Sequence, residues 1–153
     1  MKPITTAHVL SSAAPSAFFA KWADLDTWPE WNADMEWIRM DGPFVQGGTG
    51  VLKPKGGPKV RFVIETLIDG EAFVDVSKLP GGRLIFDHRV RATASGTAVD
   101  VTITMRGPLG WLWKRVMGGG FRKTAQSDLE GLARAAEALG HSSVRADETA
   151  TQA

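Results

Sequence analysis

The sequence predicts an α+β fold: a seven-stranded antiparallel sheet covered on one face by a long C-terminal helix, with two short helices between the first and second strands. Three observations lead there. Four strand-like segments, Val60 to Thr66, Phe73 to Leu79, Leu84 to Val90 and Val99 to Met105, are joined by Asp69-Gly70, Gly81-Gly82 and Ser95-Gly96, the kind of two-residue turn that sets a hairpin register. Those registers place one apolar set on one face. At Leu109 the apolar period changes from two to three and four residues, the signature of an amphipathic helix.

If each joint is a two-residue turn, Val60 pairs with Leu79, Phe62 with Ser77, Ile64 with Asp75 and Thr66 with Phe73. The next hairpin then sets Asp75 opposite His88, Ser77 opposite Phe86 and Leu79 opposite Leu84. The last sets His88 opposite Ile103, Phe86 opposite Met105 and Val90 opposite Val101. A one-residue error would mix polar and apolar sets, because a strand sends alternate side chains to opposite faces. Here one face is apolar except for Thr66, Asp75, Ser77 and His88. The other carries most of the charge, as a solvated antiparallel sheet does, and Arg91 should pair with Asp100 across it.

The remaining elements follow in order. Ile4 to Leu10 reads as the first strand. Ser11 or Ser12 can cap a helix that begins near Pro15 and carries Phe18, Phe19 and Trp22, and Asp24 can cap a short turn over Leu25 to Trp31 that Pro29 keeps from lengthening. Met35 to Met40 and Thr49 to Lys53 read as strands, with glycine-rich loops between and after them that lack the spacing of a nucleotide-binding loop. Leu109 to Leu139 reads as the long helix, interrupted at Gly118-Gly119-Gly120, where about 1 kcal/mol of helix propensity is lost per glycine. That predicts a kink, a thinner helix that lets something approach, or two helices. Gly140 is the expected stop. Residues 1–140 make one domain, and the polar, aperiodic 141–153 reads as a disordered tail.

Composition excludes several functions. At 153 residues, 43% hydrophobic and 23% charged, the chain has one domain's core. The formal charge of +1 is spread among both signs, so no nucleic-acid partner is expected. The one basic cluster, Lys53, Lys55, Lys59 and Arg61, reads as a solvated edge. Cysteine is absent and the three histidines, His8, His88 and His141, lack metal-ligand spacing, so neither thiol chemistry, a metal nor a cofactor is expected. No segment is long and apolar enough to span a bilayer, and with no secretory signal pattern at the start the expectation is a cytoplasmic protein without stable membrane insertion.

Ala14 to Phe19, Asp24-Leu25-Asp26-Thr27-Trp28-Pro29-Glu30-Trp31-Asn32, Asp41-Gly42-Pro43-Phe44 with the Gly47 to Gly50 loop, and the long terminal helix together resemble the START-like or polyketide cyclase/dehydrase superfamily, SRPBCC, from Ile4 to Leu139. The resemblance implies a helix-grip fold: a curved sheet gripping the C-terminal helix over a deep cavity that holds lipids, polyketides, hormones or other apolar molecules, with or without catalysis.

The residues suggest a cavity independently. The apolar face of the sheet and the side-chain-free glycines of the helix would leave room between them, and such pockets carry a few placed polar groups. The candidate ligand-binding residues are Trp37, Phe62, Ile64, Thr66, Phe73, Ser77, Phe86, Ile103, Met105, Trp113, Met117 and Phe121. Trp22, Trp28 and Trp31 read as packing residues. Asp75 and His88, as direct cross-strand neighbours with β-carbons about 4.5 to 5.5 Å apart, are the candidate catalytic pair, the carboxylate orienting an imidazole able to exchange a proton. Such a pair can also serve a plain structural role. Three readings stay open: binding of a small apolar or aromatic molecule; a cyclase or dehydratase with His88 as general acid or base; and an interaction protein with a vestigial pocket.

Overall fold

The computed structural model describes residues 2–152, with side chains as far as Leu139. Strand β1 (Thr5–Ser11) leads to helix α1 (Pro15–Ala23), a 3-10 turn (Leu25–Thr27) and the short helix α2 (Trp28–Trp31). Strands β2 (Met35–Met40), β3 (Thr49–Pro54), β4 (Val60–Ile68), β5 (Ala72–Leu79), β6 (Gly82–Thr93) and β7 (Gly96–Arg106) follow, and helix α3 (Gly110–Gln152) ends the chain. All seven strands form one antiparallel sheet in the order β1-β7-β6-β5-β4-β3-β2. Six consecutive strands therefore make a meander, and the first strand returns to lie beside the last. This is the expected architecture.

The registers differ from expectation in an instructive way. Between β5 and β6, Phe73 pairs with His88, Asp75 with Phe86 and Ser77 with Leu84, and between β6 and β7, Phe86 pairs with Ile103 and His88 with Val101. Each hairpin is displaced by two residues because its turn comes one residue earlier. Leu79 pairs with Gly82, so Pro80 and Gly81 make the corner; proline pre-sets the first central position, and Gly81 takes φ +69°. In the last hairpin the Thr93 hydroxyl accepts from the Ser95 amide at 3.2 Å and donates to the Gly96 carbonyl at 2.7 Å, which draws the turn onto Ala94 and Ser95. A slip of two preserves parity, so the faces survive.

The first hairpin keeps Phe62 opposite Ser77 and Ile64 opposite Asp75, but a bulge falls between Ile64 and Thr66. Beyond it Thr66 pairs with Val74 and Leu67 with Phe73, so Leu67 joins the inner face and Thr66 leaves it. The extra residue offsets a turn one residue longer than expected, with Ile68 opposite Ala72.

Two expected caps are not made. Ala14 holds the N-cap position of α1 without a side-chain bond, while the Ser11 hydroxyl accepts from the Ala13 amide at 3.1 Å and donates to Glu137 at 2.8 Å. Asp24 makes no side-chain cap either; its carbonyl accepts from the Thr27 hydroxyl at 2.8 Å.

Helix α3 runs without interruption through Gly118–Gly120, so the glycines divide nothing, and a Cβ on Gly119 or Gly120 would meet no atom within 4 Å. The helix also passes Gly140, the expected stop; the tail expected over 141–153 falls outside the residues with described side chains. Leu129, Leu132, Ala133 and Ala136 are buried on the face of α3 that meets the core, each leucine contributing about 1.5–3 kcal/mol by leaving water. Gly131 lets α3 approach α2, since a Cβ there would lie 3.0 Å from the Trp31 carbonyl oxygen. Trp22 and Phe18, both fully buried, fill the space where α1 meets the sheet.

Candidate functional site

Between the inner face of the sheet and α3 the packing leaves a hollow of about 180 Å³. Its floor is Ser77, Leu84, Phe86, Val101 and Ile103, its roof is Met117, Phe121, Ala125, Leu129 and Leu132, and Trp22, Trp28, Trp31 and Met35 form one wall. The alternation of β5 to β7 supplies the floor, and the spacing 117, 121, 125, 128, 132 aligns the roof along one helix stripe. Phe86 on the sheet and Phe121 on the helix meet edge to face, their centroids 5.6 Å apart. Asp34 also lines the hollow and is solvent-exposed, which sets the opening between the start of β2 and α3.

Asp75 and His88 both point into this space. They are diagonal rather than direct neighbours, and the closest approach of carboxylate oxygen Oδ1 to imidazole Nδ1 is 3.9 Å, too far for the hydrogen bond that direct opposition would have allowed. Nδ1 instead lies 2.8 Å from the Phe73 carbonyl oxygen. A carbonyl only accepts, so Nδ1 carries the hydrogen and Nε2 keeps its lone pair. The ring stacks on Phe73 at 4.8 Å, 15° from parallel, and lies 5.1 Å from the Trp22 ring. It is therefore held by the backbone and by aromatic faces, not by the acid.

Burial decides the ionisation of both groups. It pushes Asp75 up to about 7, opposed only by a bond from its own backbone amide. It pushes His88 down to about 4 against the raising influence of the Phe73 carbonyl and the Asp87 charge. Desolvation disfavours whichever form is charged, so near neutral pH the imidazole is neutral and Asp75 is the group poised to exchange a proton.

A second acid reaches the hollow from α3. Asp128 is raised to about 6, chiefly by burial, with the Asp34 charge adding to it and the Ala33 amide opposing it; that amide donates to its Oδ1 at 3.4 Å. The sequence reading omitted Asp128, although its place seven residues after Phe121 and four before Leu132 puts it on the roof stripe. Trp22, Trp28 and Trp31, taken from the sequence as packing residues, line the wall as well.

Of the other expected ligand-binding residues, Ser77, Phe86, Ile103, Met117 and Phe121 line the hollow. Trp37, Phe62, Ile64, Thr66, Phe73, Met105 and Trp113 do not. Phe62, Ile64, Phe73 and Met105 are buried in the solid part of the core. Thr66 is turned away by the bulge. Trp37 lies outside, between the Arg39 guanidinium at 4.9 Å and the Lys59 ammonium at 5.7 Å. Trp113 donates its indole N–H to the Pro80 carbonyl at 2.7 Å and so pins α3 to the β5–β6 turn. The Lys53 and Arg61 charges are met by Glu36 and Asp41, at 2.9 and 2.8 Å, as befits a solvated edge.

The sequence model of the family described as polyketide cyclase / dehydrase and lipid transport matches residues 2–137. The chain belongs to this family. Among solved structures, a Mesorhizobium loti protein, MLL2253, superposes with a TM-score of 0.69 at 14% identity, covering 87% of this chain and 96% of that one. The di-domain ARO/CYC StfQ from the steffimycin biosynthetic pathway gives 0.67 at 16% identity over 92% of this chain and 51% of its own. Ara h 8.0201 gives 0.65 at 13% identity over 88% and 97%. These likenesses establish the helix-grip fold. No curated protein matches the sequence. Among the described residues no helix is long and apolar enough to cross a membrane, and no group of histidine and acidic side chains could hold a metal ion.

Proposed function

We propose that this member of the family binds a small apolar or aromatic, lipid- or polyketide-like molecule in the hollow between the sheet and α3. The observation that carries the reading is the hollow itself. A domain whose core is otherwise close-packed keeps open space lined by five aromatic rings, Trp22, Trp28, Trp31, Phe86 and Phe121, with few polar groups among them. Protein interiors ordinarily fill such voids, and pockets for small ligands have this mixture. The family description, which includes lipid transport, agrees with it.

The test is titration with N-phenyl-1-naphthylamine, an uncharged fluorescent probe. Saturable one-to-one binding is expected, and Ala125→Trp, which puts an indole into the roof, should weaken it at least about tenfold, about 1.4 kcal/mol, in a variant shown to be folded by its melting transition. A probe that does not bind saturably, or that ignores the blocking indole, would defeat the reading.

A cyclase- or dehydratase-type reaction is the second reading, and the ionisation of the pair favours a particular version of it. Asp75, near its midpoint at neutral pH, is better matched to proton exchange than His88, whose neutral Nε2 can accept a hydrogen bond from a substrate hydroxyl or enol. His88→Gln separates binding from chemistry: loss of turnover with binding kept supports catalysis, whereas a variant indistinguishable in both leaves His88 a packing residue.

A further inference from the structure

Among the described residues the ionisable side chains that line the hollow, His88 apart, are all acids. Asp75 projects from the floor, Asp128 from the roof and Asp34 at the opening, and no described lysine or arginine lines it. The imidazole of His88 does not compensate, being neutral around pH 7. Asp75 is only 7% exposed, and among the described residues its carboxylate accepts no hydrogen bond from another side chain, the nearest cationic candidate being His88 Nδ1 at 3.9 Å. A buried carboxylate is costly unless it is paired. Here the protein supplies only the acid's own backbone amide and no counter-charge, and the space in front of the group is the hollow.

We propose, building on the ligand-binding reading above, that the preferred occupant is an apolar molecule bearing a protonated amine, and that the site rejects a carboxylate of the same shape. An ammonium between Asp75 and Asp128 supplies the missing counter-charge. The rings of Trp22, Trp28 and Trp31, which line the same hollow, offer π-faces that attract a desolvated cation. A carboxylate would be buried against two acids with no lysine or arginine among the described lining residues, and an alcohol would satisfy the hydrogen bonds without the charge. Trp22 Nε1 and Trp31 Nε1 are sealed from solvent without a hydrogen-bond partner.

The titration of the two acids gives the selectivity a pH dependence. Asp75 faces His88 from β6, and Asp128 on α3 faces Asp34 and the Ala33 amide from the segment before β2. Both acids ionise as pH rises through about 6 to about 7, so preference for a cation grows across that interval while the imidazole stays neutral.

The experiment displaces N-phenyl-1-naphthylamine with a matched series, 2-naphthylmethylamine, 2-naphthylmethanol and 2-naphthoate, at pH 5 and pH 8. Hydrogen bonds to charged groups are stronger than those between neutral ones, so at pH 8 the amine should bind about tenfold or more tighter than the alcohol, with the carboxylate weakest. At pH 5 that ratio should shrink. In the double variant Asp75→Asn with Asp128→Asn the amine-to-alcohol ratio, taken within the same variant so that general changes in affinity cancel, should fall towards one. A carboxylate that binds as well as the amine overturns the inference, as does an amine advantage that persists in the double variant. If the probe and the alcohol bind and the amine gains nothing, the charge selectivity fails alone. If neither the probe nor any member of the series binds, the ligand-binding reading fails and takes the inference with it.

Discussion

Among its described residues the protein holds an aspartate and a histidine together twice, once on each face of its sheet, and the two pairs behave differently. On the outer face His8 of β1 lies opposite Asp100 of β7, and their side chains touch at 2.6 Å with 54% and 37% of their surfaces exposed. On the inner face Asp75 and His88 stand 3.9 Å apart with 9% and 11% exposed. On the exposed face acid and imidazole close to hydrogen-bonding distance, and Asp100 also meets the Arg91 guanidinium at 4.0 Å. Inside, each inner group is pushed by burial towards its neutral form, and the imidazole takes a backbone carbonyl instead. Direct opposition in the sheet brings acid and imidazole into contact on the outer face, and the diagonal register keeps them apart inside.

The largest expected effect is that of Asp75→Asn. The carboxyl has a folded value of about 7 against an ordinary 3.8, so between those values the unfolded chain releases its proton first and stability declines as pH rises. Replacement by the uncharged amide should therefore leave stability nearly unchanged at pH 4 and raise it by up to about 4 kcal/mol at pH 8, read from chemical denaturation at both pH values. A variant that is equally destabilised at both would show that Asp75 is not buried without a counter-charge.

His88→Gln works in the opposite direction. The imidazole has an ordinary value of 6.5 and a folded one of about 4, so as pH falls through that window the unfolded chain takes up a proton that the folded chain refuses, and stability is lost. Removing the group should recover on the order of 3 kcal/mol of that acid-side loss, whatever it costs in packing at pH 7. Since the two inner groups tilt stability in opposite senses between about pH 4 and 6.5, their contributions largely cancel there in the native chain. Asp75→Asn alone should expose the slope due to His88, and the double variant should show neither. The smallest effect belongs to Asp100→Asn, within about 1 kcal/mol and shrinking with added salt; a larger loss would erase the contrast between the faces.

The faces of the sheet were legible in the sequence because alternation is a parity, and parity survives a slip of two. The direct opposition of Asp75 and His88 was not, because it depended on which residues of Pro80-Gly81-Gly82 make the corner and on a Thr93 side chain that competes for its own turn. Thr66 was misplaced for a related reason: a bulge adds one residue without any marker such as glycine at Glu65. The long helix and its apolar stripe were readable from period alone. Asp128 sat on that stripe unremarked since a single acid among apolar residues looks like an edge position until the opposite wall is known. Trp37 and Trp113 were assigned to the cavity by residue type, although strand parity and a carbonyl in reach send them elsewhere.

Gly118–Gly120 lies between Met117 and Phe121, two residues of the roof, and the last two glycines have open space where a Cβ would be. Nothing sterically demands them, while each forgoes about 1 kcal/mol of helical preference. Amide protons in this turn should consequently exchange with deuterium faster than those around Leu129 and Leu132, and Gly119→Ala with Gly120→Ala should slow that exchange. This span of the roof thus unwinds more readily than the helix around Leu129 and Leu132, which gives a guest a soft hinge to push against rather than a rigid beam.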